Sequence, residues 1–144
     1  MERAAIVIGR LLLSLIFILS GLMKIPGWDQ TSEYMAAKGL PLVPVLLAGT
    51  IAIEILGGLS VLLGYRARVG ALVLALWLIP VTLIFHNFWA VADAMQQRAE
   101  MANFLKNLAL IGALLFLSAR GAGEPSLDAR AAEARPQTSS HSTA

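Results

Sequence analysis

The sequence predicts an all-α polytopic membrane protein: a four-transmembrane-helix bundle with a disordered C-terminal tail. Three observations carry this. Of 144 residues, 58% are hydrophobic and 14% charged, against roughly 45–50% and about 25% in an ordinary soluble domain. The apolar excess is gathered into four blocks near residues 4–23, 43–63, 68–90 and 101–120. Each block is close to the ~20 residues that a helix needs to cross about 30 Å of hydrocarbon. The blocks also lack the polar faces that helices of a water-soluble globule require. A membrane domain of residues 1–122 and a flexible tail of residues 123–144 follow from this.

The first block, AAIVIGRLLLSLIFILSGLM, follows Glu2 and Arg3. Its apolar run is longer than a secretory h-region, Arg10 interrupts it, and no small-residue cleavage site follows, so it is expected to be retained. WDQTSEYMAAKG (28–39) is polar, and Asp29 or Thr31 could cap a short helix there, ended by Gly39 with Pro41 behind it. Pro44 suits the first turn of the second spanning helix, where its missing N–H costs nothing. The tight turn Gly64-Tyr65-Arg66-Ala67-Arg68 makes the second and third spans antiparallel neighbours. Pro80 inside the third span is tolerated in a membrane helix. ADAMQQRAE (92–100) leads into the fourth. After Arg120 the composition turns to Ala, Ser and Pro without aromatics, and disorder is expected beyond about residue 128.

An even number of spans puts both termini on one side. That side, with the Gly64–Arg68 turn, carries Arg3, Arg66, Arg68, Arg120, Arg130 and Arg135; the other carries Lys24, Lys38 and Arg98. The bias predicts cytoplasmic termini. Trp28 and Trp89 then fall at the outer boundary, where indoles commonly sit.

The chemistry available to the chain is narrow. It has no cysteine, which removes disulfides, thiolate metal sites and thiol catalysis. His86 and His141 are the two histidines, too few for a histidine-rich metal centre or a bis-histidine haem, so no metal site is assigned. No Gly-rich phosphate loop is present. A formal charge of +2 gives no footprint for nucleic acid. No catalytic residue can be assigned, and any reaction must involve a partner or a bound cofactor.

Polar residues inside the spans are expensive, at about 2.5–3.5 kcal/mol for a charge at the helix centre, and so mark candidate sites. Arg10, Ser14, Phe17, Gly21 and Lys24 share one face of the first span; Thr50, Glu54, Gly57, Val61 and Gly64 share one face of the second. Thr82, His86 and Trp89 align on the third, and Asn103, Lys106 and Asn107 on the fourth. With the helix ends aligned, Arg10 and Glu54 fall at similar depth, which predicts an Arg10–Glu54 ion pair in the inner half of the bundle. Such a pair could be a clasp that fixes helix pairing or a proton or ligand site. The outer level gathers Lys24, His86, Trp89, Asn103, Lys106 and Asn107 beside Phe85 and Phe88. Snorkelling to the interface accounts for a lysine there equally well. Convergence of several donors and one imidazole from three helices would suit a quinone or an anionic lipid head group.

These residues resemble the DoxX family of small bacterial membrane proteins. The matching pieces are GRLLLSLIFILSGLMKIPGW (9–28), GLPLVP (39–44), Glu54 followed by Gly57 and Gly64, FHNFW (85–89), NFLKNLALIGALL (103–115), and GAG and SLD within 121–128. Ala113 departs from a frequent family glycine. The resemblance implies a four-helix protein of the bacterial inner membrane, in which the polar positions named above are family-typical. It also implies a quinone-interacting or accessory subunit of a membrane oxidoreductase, since some relatives belong to thiosulfate:quinone oxidoreductase and others to complexes that handle oxidative or thiol stress. A soluble or membrane redox partner and a homodimer are the associations expected besides the lipid bilayer. The alternative is a non-enzymatic protein that binds or moves a small solute or lipid, or anchors a partner. A transporter would need dimerisation, since four spans show no inverted repeat.

Overall fold

The computed structural model describes residues 1–134, so Arg135 and His141 lie outside the described residues. Helix α1 spans Glu2–Lys24, α2 Trp28–Ala37, α3 Val43–Leu63, α4 Ala67–Phe85, α5 Ala94–Arg120 and α6 Leu127–Glu133, with a 3₁₀ turn at Phe88–Ala90. Helices α1, α3 and α5, and α4 with the 3₁₀ turn, are long and apolar enough to cross a membrane. The all-α, four-span architecture thus stands.

Helix α1 packs on α3, α3 on α4 and α4 on α5, and side chains of all four spans meet in one core. Helix α2 lies on α3 at the end opposite the termini. The buried core is Phe17 of α1, Val61 of α3, Ala71, Leu74, Ala75 and Leu78 of α4, and Leu114 of α5. Small residues bring the backbones together, since lipid supplies no hydrophobic drive between helices and close packing must do it. A Cβ on Gly58 would stand 2.6 Å from Ile18 Cγ1 and 3.3 Å from the Ser14 carbonyl. A Cβ on Gly21 would meet Ile55 at 2.7 Å and the Ile51 carbonyl at 3.4 Å.

These contacts set the register of α1 on α3: Gly21 faces Glu54, Ile18 faces Gly58 and Arg10 faces Gly64. Helix α1 is therefore shifted by about two turns from the alignment of helix ends. Its N-terminal part overhangs α3, and the far part of α3 is covered by α2. The expected Arg10–Glu54 ion pair does not form for this reason. Glu54 sits at the level of Lys24, and Arg10 at the end of α3.

At the terminal end the chain behaves differently from a free tail. Residues 121–126 fold back under the bundle and α6 follows, capped by the Ser126 hydroxyl, which accepts from the Ala129 N–H at 3.1 Å. The expectation of a flexible segment from residue 123, or disorder from about 128, is corrected over the described residues up to 134. Four hydrogen bonds hold the segment, besides the exposed Arg3–Glu124 ion pair. Arg10 Nη1 donates to the Ala122 carbonyl at 3.1 Å. The Asp128 carboxylate accepts the N–H groups of Arg66 at 2.7 Å and Ala67 at 3.0 Å, satisfying donors that open α4. The Asp128 N–H donates to the Gly64 carbonyl at 2.8 Å. Arg68 covers the neighbouring helix end, its guanidinium donating to the carbonyls of Ala119 at 2.6 Å and Arg120 at 3.2 Å.

Gly64 is the hinge of this arrangement. It ends α3 in a Schellman motif, with Tyr65 N–H on the Ser60 carbonyl and Gly64 N–H on that of Val61. Its φ of +67° strains any L side chain, and a Cβ would collide with Ser126, Arg10 and Ala122. Gly39 ends α2 by the same motif, as its position predicts. The start of α2 differs from expectation: Gly27 precedes it without a side-chain cap, and the Thr31 hydroxyl donates to the Gly27 carbonyl at 2.8 Å. Helix α5 begins earlier than its apolar block, because the Asp93 side chain caps it by accepting from the Gln96 N–H at 2.8 Å.

Candidate functional site in the membrane cavity

Among the spanning helices lies a cavity of about 460 Å³ lined by all four spans and by α2. This volume is within the roughly 300–1,000 Å³ range of small-molecule sites. Its walls are apolar: Phe17, Leu47, Leu78, Val81, Ile84 and Leu110 are among them. Polar groups enter at a few points only, namely Ser20, Lys24, Thr31, Tyr34, Thr50, Glu54, Trp77, His86, Lys106 and Asn107.

Lys24 and Glu54 form the central pair. Lys24 Nζ donates to Glu54 Oε2 at 2.8 Å and Oε1 at 3.1 Å, and to the Ser20 hydroxyl at 2.6 Å. The carboxylate is therefore held by both oxygens, and the last turn of α1 is tied to the middle of α3. Both side chains are largely buried, at 23% and 10% exposure. Such a pair is a desolvated couple that depends on its partner rather than a surface ion pair.

On the other wall, His86 follows the last residue of α4, with its N–H on the Thr82 carbonyl at 3.1 Å. Its Nδ1 meets Glu100 Oε2 of α5 at 2.7 Å, which orients the ring. Asn107 is buried and donates to the Thr82 hydroxyl at 3.1 Å; that hydroxyl in turn donates to the Leu78 carbonyl at 2.6 Å. The chain of bonds joins α4 to α5 and forms part of the cavity wall. Lys106 donates to Asn103 Oδ1 at 3.1 Å and has no carboxylate within ion-pair distance among the described residues. The indole N–H of Trp77 is buried and has no hydrogen-bond partner there. Lys106 thus lines the cavity with unused donor capacity, while the Trp77 N–H is enclosed by protein.

Helix α2 covers the cavity from the end opposite the termini. Tyr34 stacks at 5.4 Å on Phe85, and Lys38 donates to Asn87 Oδ1 at 3.2 Å. Burial, and secondarily the charge of Glu100, raises the Tyr34 phenol above its ordinary value, so it stays neutral and a hydrogen-bond donor at physiological pH.

Of the residues singled out from the sequence, Lys24, His86, Lys106 and Asn107 line this one cavity, and Glu54 joins them. Arg10 does not; it serves the terminal end. Asn103 acts through Lys106. Trp89 is exposed and forms an edge-to-face cluster with Phe88 and Phe104 at 5.2 and 5.9 Å. It leaves the His86 face because α4 ends at Phe85, and helical spacing does not continue through the 3₁₀ turn. Glu100 escaped the sequence reading although Glu100, Asn103 and Asn107 follow helical spacing, because α5 begins before its apolar block. Trp77 carried no polar signal, lying on the otherwise apolar strip of Val81 and Ile84.

Fold and site together define a class: a polytopic membrane protein whose spanning helices surround a ligand-sized cavity with an internal ion pair. The chain belongs to the DoxX family, whose model matches residues 5–87. It is similar to inner membrane protein YphA of Escherichia coli (strain K12), at 32% identity over 87% of this chain and 89% of the relative. Inner membrane protein YqjF of the same organism is also 32% identical, over 89% of this chain and 92% of the relative. A more distant similarity, 28% identity over 69% of this chain, falls on 34% of the ER-derived vesicles protein ERV29 of Saccharomyces cerevisiae (strain ATCC 204508 / S288c). No solved structure matches.

Proposed function

We propose that this chain is a bacterial inner-membrane protein that holds a quinone in the cavity among its spanning helices, as an accessory subunit of a membrane oxidoreductase. The observation that carries the reading is the cavity itself: apolar walls from five helices, with a donor at Lys106 that retains unused hydrogen-bonding capacity. A quinone presents a flat apolar ring and acceptor-only carbonyl oxygens, so it needs N–H donors on apolar walls. The residues present fit that requirement. When bound, the group supplies two-electron, two-proton redox chemistry.

The chain's own residues bind and orient. Lys106 would donate to a ligand oxygen, and Phe17, Leu47 and Ile84 would exclude water from its ring. The Lys24–Glu54 pair holds α1 against α3 and keeps one wall in place. His86, oriented by Glu100, sets an imidazole at the cavity edge where a proton can be held. The chain has no cysteine. It has no group of three metal-ligating side chains among the described residues. Electrons would therefore reach the ligand from a redox partner.

Binding rather than passage is favoured by the closed terminal half. Arg10, Ser14, Val61, Leu74 and Leu114 pack without lining the cavity, so a solute entering from the α2 end meets a solid core. With the termini in the cytoplasm, the α2 end faces the periplasm.

Quinone content of protein purified in mild detergent tests the proposal. Ubiquinone or menaquinone should co-extract, and Lys106→Met should lower the amount retained. A hydrogen bond from a charged donor contributes about 1.5–3 kcal/mol, so Lys106→Met should weaken binding roughly ten- to a hundred-fold. No co-extracted quinone, together with no rise in melting temperature on adding a soluble quinone analogue, would overturn it.

A further inference from the structure

A second concavity lies on the lipid-facing side of the α3–α4 pair, and no residue lines both it and the central cavity. It is a furrow of about 540 Å³ bounded by Ala52, Leu56, Leu59 and Leu63 of α3 and by Val69 and Val73 of α4. Gly57, Ser60 and Gly70 form its floor, where the two helices touch. The furrow exists because these three positions are small while their neighbours on both sides are large and exposed.

Its polarity is confined to one end. Ser60 spends its hydroxyl proton on the Tyr65 carbonyl at 2.7 Å, so the floor offers no free donor. At the mouth stand Tyr65 and Arg66. Among the described residues, Arg66 has no carboxylate within ion-pair distance, and its guanidinium lies over the Tyr65 ring at 6.0 Å. Of the other arginines at this end, Arg3 pairs with Glu124, Arg10 bonds Ala122 and Arg68 caps α5, while Arg120 lies over the Phe116 ring at 5.9 Å and neither it nor Arg130 lines the furrow. Asp128 is close by, but both its oxygens are occupied by backbone N–H groups. The mouth falls where α3 ends and α4 begins, at the boundary of two spanning helices, which is the level of lipid head groups. An exposed arginine with an aromatic beside it there matches a phosphodiester in charge.

We propose that this furrow is a specific phospholipid site, with the phosphate on Arg66 and one acyl chain along α3 from Leu63 toward Ala52. An acyl chain alone would gain the apolar walls but leave the cation at the mouth unmatched. A second copy of this chain would have to bring an anionic group to the same point.

Native mass spectrometry of the full chain, delipidated and then exposed to defined lipids, decides this. Dioleoylphosphatidylglycerol and dioleoylglycerol share acyl chains and differ in the phosphate. One phosphatidylglycerol should stay bound per chain, retained at least fivefold better than dioleoylglycerol by the unmodified protein. Arg66→Gln should abolish that preference while Arg66→Lys keeps part of it. Val73→Phe, which fills the furrow, should lower retention of both lipids. Equal retention of the two lipids by the unmodified protein would overturn the proposal, without needing any variant to fold. A dimer peak that Val73→Phe removes, with no lipid adduct, would overturn it in favour of a second copy. Quinone content is a separate readout, so failure here and failure of the central-cavity reading are distinguishable.

Discussion

Glu54 is one carboxylate in the middle of an otherwise apolar helix, and its energy depends on what stands opposite. Lys24 does, with two hydrogen bonds from one ammonium. Removing one partner of a buried pair costs about 3–5 kcal/mol, while replacing both by apolar residues is often neutral. Glu54→Gln and Lys24→Met should therefore each lower the melting temperature in detergent, and Lys24→Met/Glu54→Leu should recover most of the loss. A second cycle provides the control. Arg10 serves the Ala122 carbonyl instead, so Arg10→Leu and Glu54→Gln should add to within about 0.3–0.5 kcal/mol, as separated sites do. Coupling beyond that would mean Arg10 reaches Glu54 after all. The polar faces of α1 and α3 were legible from spacing alone: Arg10, Ser14, Phe17 and Gly21 are the buried residues of α1. Their partners were not, because helical period fixes a face and says nothing of the offset between two helices. That offset comes from where Gly21 and Gly58 let backbones touch.

At the scale of elements, the segment after α5 illustrates how composition can mislead. Residues 121–134 are short of large apolar side chains, which reads as a chain unable to bury enough surface to order itself. It is ordered by backbone satisfaction instead. Asp128 caps α4, Gly64 presents its carbonyl, and Ala122 receives Arg10. The two motifs GAG and SLD mark these contacts in the sequence, yet a helix end left uncapped elsewhere in the chain leaves no sequence signal to pair them with. Asp128→Ala should cost about 0.5–2 kcal/mol, the range for a lost helix cap, measured as melting in detergent. Gly64→Ala should cost more, since it adds about 1–2 kcal/mol of left-handed backbone strain to the collision with Ser126 and Ala122. If both act through one docked segment, Asp128→Ala should have a smaller effect in the Gly64→Ala background than alone. Strict additivity would mean that Gly64→Ala leaves the segment docked.

The whole molecule has two unlike ends. The terminal end is solid, carrying the arginines and the docked segment; the other opens into the cavity beneath α2. Four-span architecture was legible because block length and hydropathy are set by the bilayer, independent of how helices pack. The level at which α1 packs on α3 was not, since it depends on where small residues let the two backbones touch. The charge bias predicts an orientation with cytoplasmic termini: Arg3, Arg66, Arg68, Arg120 and Arg130 lie at the terminal end, against Lys24, Lys38 and Arg98 at the other. Positively charged loops stay cytoplasmic. Because the chain has no cysteine, a single introduced thiol reports its side without background. Gln97, at the exposed start of α5, and Ala132, on exposed α6, sit at opposite ends. In intact cells a membrane-impermeant maleimide should label Gln97→Cys, and should reach Ala132→Cys only after the inner membrane is opened. The reverse pattern would place the cavity mouth toward the cytoplasm, and a redox partner for it would then have to be sought there.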